Sequence, residues 1–335
     1  MKKLRLGLVG ANNQGREHLR GGRLSEQVEI VAVCDVDEAR RLEVRSDYPD
    51  VFVCGAVPDL RDAGPLDGVI VALPHHIVAD AWPALVALGI PLLKEKPLGR
   101  SLPEAQELVS TARRAGVPVV TAIQRRFHPS YLHLADRLKS LKIHGVAATM
   151  HLGRDDRRAA PGWRSEREWA GGGALLDSGY HLVDLVIHLI GPVEFVYAVL
   201  WTPDGLAGPR HLETDAVVVG RADSTWVRIE SRVGGLPDQG RPGAVRKFEQ
   251  IEVECEGAVY RADRSGVWVG DDQVFSCPPQ WDDGMKLQLD RFASMIRSGH
   301  FDEPVVWDQV AAMRLIDRAY DELDRYARAV REDAP

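Results

Sequence analysis

The chain has only four cysteines in 335 residues, Cys34, Cys54, Cys255 and Cys277, and no two form a C-x-x-C pair or a zinc-like spacing. That scarcity excludes a disulfide scaffold. Cys34 and Cys255 sit in apolar, strand-like runs and read as small buried thiols of a reducing compartment. Basic charge is not in excess either: 42 Lys and Arg against 49 Asp and Glu leave a net charge of −7. A nucleic-acid binder would carry a basic face, so that class is set aside. No run approaches the roughly 18 apolar residues that a membrane span requires. MKKLRLGLVG is basic and then apolar in the manner of a secretion signal, but it turns at once into a Gly/Asn loop with no cleavage site. The expected location is the cytoplasm. Internal repeats and low-complexity tracts are also missing.

What is present is ordinary globular composition, 45% apolar and 27% charged, in a length that favours two domains. Over the first 120 residues, near-continuous apolar runs at 4–10, 28–35, 66–74, 90–97 and 117–122 alternate with amphipathic stretches around 14–24, 37–47, 78–89 and 103–115. That alternation predicts a parallel, doubly wound α/β sheet covered on both faces. From about residue 145 the period changes to two, at 214–222, 224–233, 248–257 and 266–271. In IEVECE, Ile251, Val253 and Cys255 alternate with Glu252, Glu254 and Glu256. These strands predict an α+β domain with a large, mostly antiparallel open sheet, closed by helices at 284–298 and 307–331. Residues 153–170 and 234–246, rich in Gly, Pro and charge, read as long loops. The expected division is 1–122 and 123–335, with the last helices able to return to the first domain.

GLVGANNQG places Gly10 and Gly15 at the first and third glycines of a G-x-G-x-x-G fingerprint directly after a strand, with Asn12 at the second. Asn tolerates left-handed backbone better than most residues, which makes it an acceptable replacement there. Asn13 and Gln14 complete a loop whose following helix offers free N–H groups to a phosphate. The next apolar strand ends at Asp35, twenty residues beyond Gly15. An acid there accepts hydrogen bonds from ribose hydroxyls and repels a 2′-phosphate, favouring NAD; Arg40 and Arg41 keep NADP open.

Two further segments carry chemistry. KEKPLG, 94–99, leaves the carboxyl edge of the expected sheet, and Lys96 before Pro97 would stand on a rigid turn. GGGALLDSGYHLVDLVIHLIG, 171–191, sets Asp177 and His181 four residues apart, one face of a helix if the segment is helical. A carboxylate beside an imidazole fixes its tautomer and makes a proton acceptor.

The order G-x-N-x-x-G, strand-end Asp35, EKP and then GGGALLDSGYHLVD resembles the glucose–fructose oxidoreductase and inositol dehydrogenase family, Gfo/Idh/MocA, over essentially the whole chain. The departures are Asn12 for the second glycine, Leu73 for a threonine, Val78 for a frequent histidine, and Tyr180 for a small serine. The resemblance implies an N-terminal Rossmann domain and a C-terminal α/β domain whose sheet carries a homodimer or homotetramer contact. It places Lys96, Asp177 and His181 in the active site. It implies hydride transfer between NAD(P) and a secondary alcohol of a sugar, polyol or inositol-like substrate. His181 would take the hydroxyl proton, Asp177 would orient it, and Lys96 would bind the same oxygen, with Lys96 and His181 both open as the formal base.

Leu73, Pro74, His75 and Glu95 join the expected cofactor set, and Arg126, Trp163, Arg164 and Tyr180 the expected substrate set. His76 and Arg154 are weaker candidates of the same kinds. Asp184 and His188 continue the Asp177–His181 face, but a metal is not expected, and His188 reads as a core or interface histidine. Trp226, Trp268 and Trp281 read as core or interface aromatics. Two other functions compete: a redox-neutral glycoside hydrolase or lyase that retains NAD, and a non-catalytic sensor. Retention of Lys96, Asp177 and His181 together argues against the sensor.

Overall fold

The computed structural model describes residues 2–153, 162–202, 205–206, 212–234, 247–278, 282–301 and 303–332. The chain forms two compact units. One comprises Met1–Gly99, Pro103–Phe127 and Gln280–Trp307; the other comprises Arg100–Leu102, His128–Pro279 and Asp308–Pro335. The helix Asp282–Ser298 thus belongs with the first unit and the helix Glu303–Glu332 mostly with the second, where a single cut after residue 122 would have kept both together.

The first unit is a six-stranded parallel sheet in the order β3-β2-β1-β4-β5-β6, the Rossmann order. Its strands are β1 Leu4–Val9, β2 Val28–Cys34, β3 Phe52–Cys54, β4 Gly68–Val71, β5 Leu92–Glu95 and β6 Val119–Ala122. The helices between them are α1 Asn13–Leu24, α2 Glu38–Asp47, α3 His75–Val86 and α4 Leu102–Arg114. Both faces are covered, which is why the strands are apolar throughout. Leu6, Leu8 and Leu93 pack with Leu289 and Phe292 on one side; Val69, Val71 and Leu92 pack with Trp82, Leu85 and Leu108 on the other. β3 was not among the expected strands because three residues carry no readable period.

The second unit is built on a nine-stranded sheet of β7 Ile143–Leu152, β8 Glu194–Thr202, β9 Gly205–Leu206, β10 Asp215–Ala222, β11 Thr225–Val233, β12 Lys247–Cys255, β13 Ala258–Asp263, β14 Gly266–Val269 and β15 Asp272–Ser276, in the order β15-β14-β13-β12-β7-β11-β10-β8-β9. Every neighbouring pair is antiparallel except β7 Ile143–Leu152 with β11 Thr225–Val233. Along β11 burial alternates residue by residue, so one face meets helices and the other is open. On the open face a row runs Trp201, Asp215, Arg232, His151 and Phe248 across five strands. Trp226, expected in a core or interface, stands 43% exposed on that face. Behind the sheet lies the apolar stretch Arg167–Ile190, in which a short helix Arg167–Ala170 ends at left-handed Gly171 and helical structure resumes after the glycine run. By length and composition it could cross a membrane, yet most of it is buried inside the protein.

That stretch is anchored by a carboxylate. Glu213 is fully buried; its Oε2 accepts from the Gly173 N–H at 2.9 Å. Its Oε1 accepts from the Leu175 N–H at 2.9 Å and the Tyr320 hydroxyl at 2.8 Å, while its own carbonyl accepts from the Ala174 N–H at 2.9 Å. Three consecutive N–H groups at a helix start, the groups that ordinarily lack partners, are thereby satisfied by one residue. The approach is close enough to require the glycine run. A Cβ on Gly173 would stand 2.1 Å from Glu213 O, and one on Gly172 2.1 Å from the Tyr320 hydroxyl.

Burial pushes the Glu213 carboxyl above the ordinary carboxylate range, opposed by its backbone and Tyr320 donors. Because the folded value is raised, this group stabilises the fold most at acid pH, and the contribution fades as pH rises through the raised value. Glu213→Gln turns an amide N–H toward a backbone donor and is expected to destabilise the second unit by roughly 1–3 kcal/mol. In denaturant titrations the wild-type advantage over the variant should widen as pH falls from 7 toward 5. A variant of equal stability across that range removes the anchor.

Candidate active site

In the first unit the loops after β1, β4 and β5 leave the carboxyl ends of three adjacent strands, where open α/β sheets bind ligands. Gly10 has φ +92°, and a Cβ on it would meet Ala72 O at 2.4 Å. A Cβ on Gly15 would meet Gly10 O at 2.0 Å. Both glycines of the fingerprint are therefore dictated by backbone packing. Asn12 is not left-handed as expected: its φ is −77°, and it is the N-cap of α1, its Oδ1 accepting from the Asn13 N–H at 2.8 Å. Asn12 and Asn13 are exposed and Gln14 half-buried at that helix start.

Asp35 follows β2. Its Oδ2 accepts from the Ala11 N–H at 2.7 Å and its Oδ1 from the Asp37 N–H at 2.9 Å. A carboxylate has about four acceptor sites, so capacity remains on both oxygens for ribose hydroxyls. Arg41 Nη1 donates to the carbonyls of Asp35 and Val36, and Arg40 pairs with Asp37 at 3.8 Å. The tight glycine loop, the open helix start and the strand-end acid fit a dinucleotide. Leu73 and Pro74 are half-buried after β4; Pro74 is the N-cap of α3, whose first residue, His75, is buried.

The turn after β5 is held from two sides. Glu95, 6% exposed, shares a hydrogen bond between its Oε1 and His18 Nε2 at 2.7 Å. Lys94, 3% exposed, donates from Nζ to the carbonyls of Glu95 at 2.8 Å and Pro97 at 2.5 Å. Between those two carbonyls stands Lys96, half-buried, joined to Pro97 by a cis peptide. Burial lowers the Lys94 ammonium from its usual range to about 8. Arg126 is buried in the 3-10 turn Gln124–Phe127 after β6.

In the second unit the segment that carries Asp177 is not regular α-helix. Leu175–Gly179 is a π turn, and the α-helix Tyr180–Ile190 starts directly after it. Asp177 and His181 therefore flank a π-to-α junction, a feature that recurs at functional sites. His181 is 8% exposed. Asp177 is half-buried and pairs at 3.6 Å with Arg164, whose guanidinium lies 4.2 Å over the Trp163 ring.

Tyr180, expected among the substrate contacts, is placed in the core of the second unit. It is fully buried, and its hydroxyl donates to Gln309 Oε1 at 2.6 Å. Adjacent helical positions point about 100° apart, so its neighbour in sequence faces elsewhere. Gln309 Nε2 in turn donates to Asp184, also fully buried, making Asp184 part of the same core network. His188 is exposed on the chain rather than in its core. Among the described residues no group of three or more His, Cys, Asp or Glu is placed to hold a metal ion. Arg154 and Trp281 lie outside the described residues.

Sequence reading missed His18, Lys94 and Glu213. His18 had a usable signal, since Gly15, His18, Leu19 and Gly22 form the buried face of α1 at helical spacing. Lys94 looked like one more surface charge in KEKP, and nothing local marked Glu213.

Comparison with known proteins gives a family for this geometry. The model of the oxidoreductase family with NAD-binding Rossmann fold matches residues 4–123, and the GFO/IDH/MocA C-terminal domain matches residues 142–232. The rhizopine catabolism protein MocA of Rhizobium meliloti is 27% identical over 97% of this chain and 96% of its own length. Inositol 2-dehydrogenase 4 of Saccharopolyspora erythraea is 27% identical over 93% of this chain and 90% of its own. The WlbA dehydrogenase of Bordetella pertussis, solved with NADH and UDP-GlcNAcA, shares the fold with TM-score 0.78 at 22% identity, covering 96% of this chain and 97% of that one. With both domain models matched in order on a Rossmann sheet and an open mixed sheet, the chain belongs to the Gfo/Idh/MocA family of NAD(P)-dependent oxidoreductases.

Proposed function

We propose that this protein oxidises a secondary alcohol of a sugar, polyol or inositol-like substrate, or reduces the matching ketone. The observation that carries the reading is Lys96, set by two clamped carbonyls at the carboxyl edge of the Rossmann sheet, in a chain that also keeps Asp177 and His181 at a π-to-α junction. Relatives named inositol 2-dehydrogenase and D-xylose 1-dehydrogenase support the substrate class.

NAD, held by the Gly10–Gly15 loop, the start of α1 and Asp35, supplies the hydride acceptor when bound, with Leu73, Pro74, His75 and Glu95 around the same strand ends. His181 accepts the hydroxyl proton on a ring nitrogen. Asp177 favours the positive imidazole that results, and Arg164, paired with Asp177 at 3.6 Å, holds that carboxylate in place. The Lys96 ammonium donates to the reacting oxygen and stabilises negative charge as it develops there. Arg126, Trp163 and Arg164 supply polar and stacking contacts to the hydroxyl-rich ring. The open face of the nine-stranded sheet exposes Tyr197, Trp201, Trp226 and Phe248, and a second copy of the chain covers it.

Lys96→Ala should lower turnover on a polyol and sugar panel by about 10²- to 10⁴-fold, read as NADH absorbance, with NAD affinity little changed. Normal turnover in that variant takes the lysine out of the mechanism, and turnover without added NAD would favour the redox-neutral reading. Asp35→Ala should weaken NAD and narrow the NAD/NADP ratio in fluorescence titrations; an unchanged ratio means another group reads the ribose. Sedimentation equilibrium should give a dimer or tetramer, and a monomer removes the proposed self-contact.

A further inference from the structure

A lysine at position 94 contradicts its surroundings. β5 is a central strand, paired in parallel with β4 through Val71 and with β6 through Thr121. Strand alternation puts Lys94 on the same face as Leu92, which packs with Val69, Val71, Trp82, Leu85 and Leu108. An aliphatic residue would continue that layer at no electrostatic cost, whereas a buried ammonium must be matched by acceptors. Here the acceptors are two main-chain carbonyls, those of Glu95 and Pro97, and the residue between them is Lys96.

We propose that Lys94 is a positioning residue for Lys96: its ammonium clamps the backbone on both sides of the reacting lysine and presents a fixed positive charge beside it. This rests on the reading of Lys96 as the oxygen-binding amine. The clamp is economical, because one side chain reaches two carbonyls of the same tight turn.

The groups acting on the Lys94 charge come from the three elements around it. Glu95 on β5 and Glu104 on α4 favour the ammonium, and Lys96 on the turn opposes it. Burial outweighs both acids and leaves the ammonium titrating near pH 8. A folded value below the ordinary one means the charge is complete well below that pH and is lost as pH rises through it. Loss of the charge weakens the hydrogen bonds to both carbonyls and removes the positive neighbour of Lys96.

Lys94→Met keeps the length and apolar stem and removes the donors; Lys94→Gln keeps a donor without charge and serves where the methionine variant fails to fold. In the holoenzyme either change should lower kcat roughly tenfold to a hundredfold while NAD affinity stays near wild type. The alkaline limb of the pH–rate profile, which reports loss of the Lys96 ammonium, should move to higher pH, because a like charge has been taken away. A readout independent of turnover is the pH dependence of Lys96 acetylation by acetic anhydride, followed by peptide mass spectrometry. Its midpoint should move in the same direction. A folded variant with wild-type kcat and an unmoved acetylation midpoint overturns the proposal. If the wild-type protein turns over no alcohol yet the acetylation midpoint moves, the clamp stands and the functional reading falls.

Discussion

The carboxylate of Glu213 is the constraint on which the second unit's reactive segment depends. A chain that turns sharply into a helix presents several N–H groups with no carbonyl to receive them, and in the interior water cannot do so. Glu213 gathers them from Gly173 and Leu175 through its side chain and from Ala174 through its carbonyl. The glycine run follows from this geometry, since any side chain at 172 or 173 would occupy the space of Tyr320 or Glu213. Asp177 and His181 take their places from the segment that this anchor starts. The first unit solves the mirror problem with Lys94, which gathers carbonyls where Glu213 gathers amides. In both units a buried titratable side chain does backbone work in a segment that carries proposed site residues.

The π turn is the other determinant of the acid–imidazole pair. In an unbroken α-helix, residues 177, 181, 184 and 188 would make one stripe with a common fate. The extra residue in the turn Leu175–Gly179 separates Asp177 from the helix that carries the rest. Asp177 then stays half-exposed, where Arg164 reaches it, while Asp184 sinks into a network with Gln309 and Tyr180. A four-residue spacing can be read in the sequence, but a π turn cannot, because it is decided by how the segment packs on β11 and Glu213.

The same division explains what was legible. Parallel strands show because both faces are buried, so LRLGLV and VEIVAVC read as apolar runs. The fingerprint glycines and Asp35 show because their roles are local to one βαβ unit. The strand Phe52–Cys54 is too short to carry a period, and in the strand Glu194–Thr202 exposed Val196, Tyr197 and Trp201 blur it. The burial of Tyr180 was not legible from its adjacency to His181, because helical geometry points neighbours about 100° apart. Lys94 and Glu213 were invisible for a deeper reason. A charged residue in a buried position is defined by its acceptors or donors, and those lie on backbone that only the folded turn brings together.

Asp35 shows why cofactor choice in such a chain resists simple exchange. Its carboxylate is expected to read the ribose, yet it already ties the Ala11 N–H of the fingerprint loop to the end of β2 and caps Asp37 ahead of α2. On the proposed reading the acid shapes the loop that receives the pyrophosphate as well as repelling a 2′-phosphate. Replacing it with a small neutral residue removes the repulsion and also releases the Ala11 amide, so the gain for NADP is offset by a looser phosphate loop. Arg41 adds to this, because its guanidinium is held on the carbonyls of Asp35 and Val36 and would have to leave them to meet a phosphate. On that reading discrimination is built into the backbone connections of the β2 turn, and a change of preference requires rebuilding that turn along with the charge.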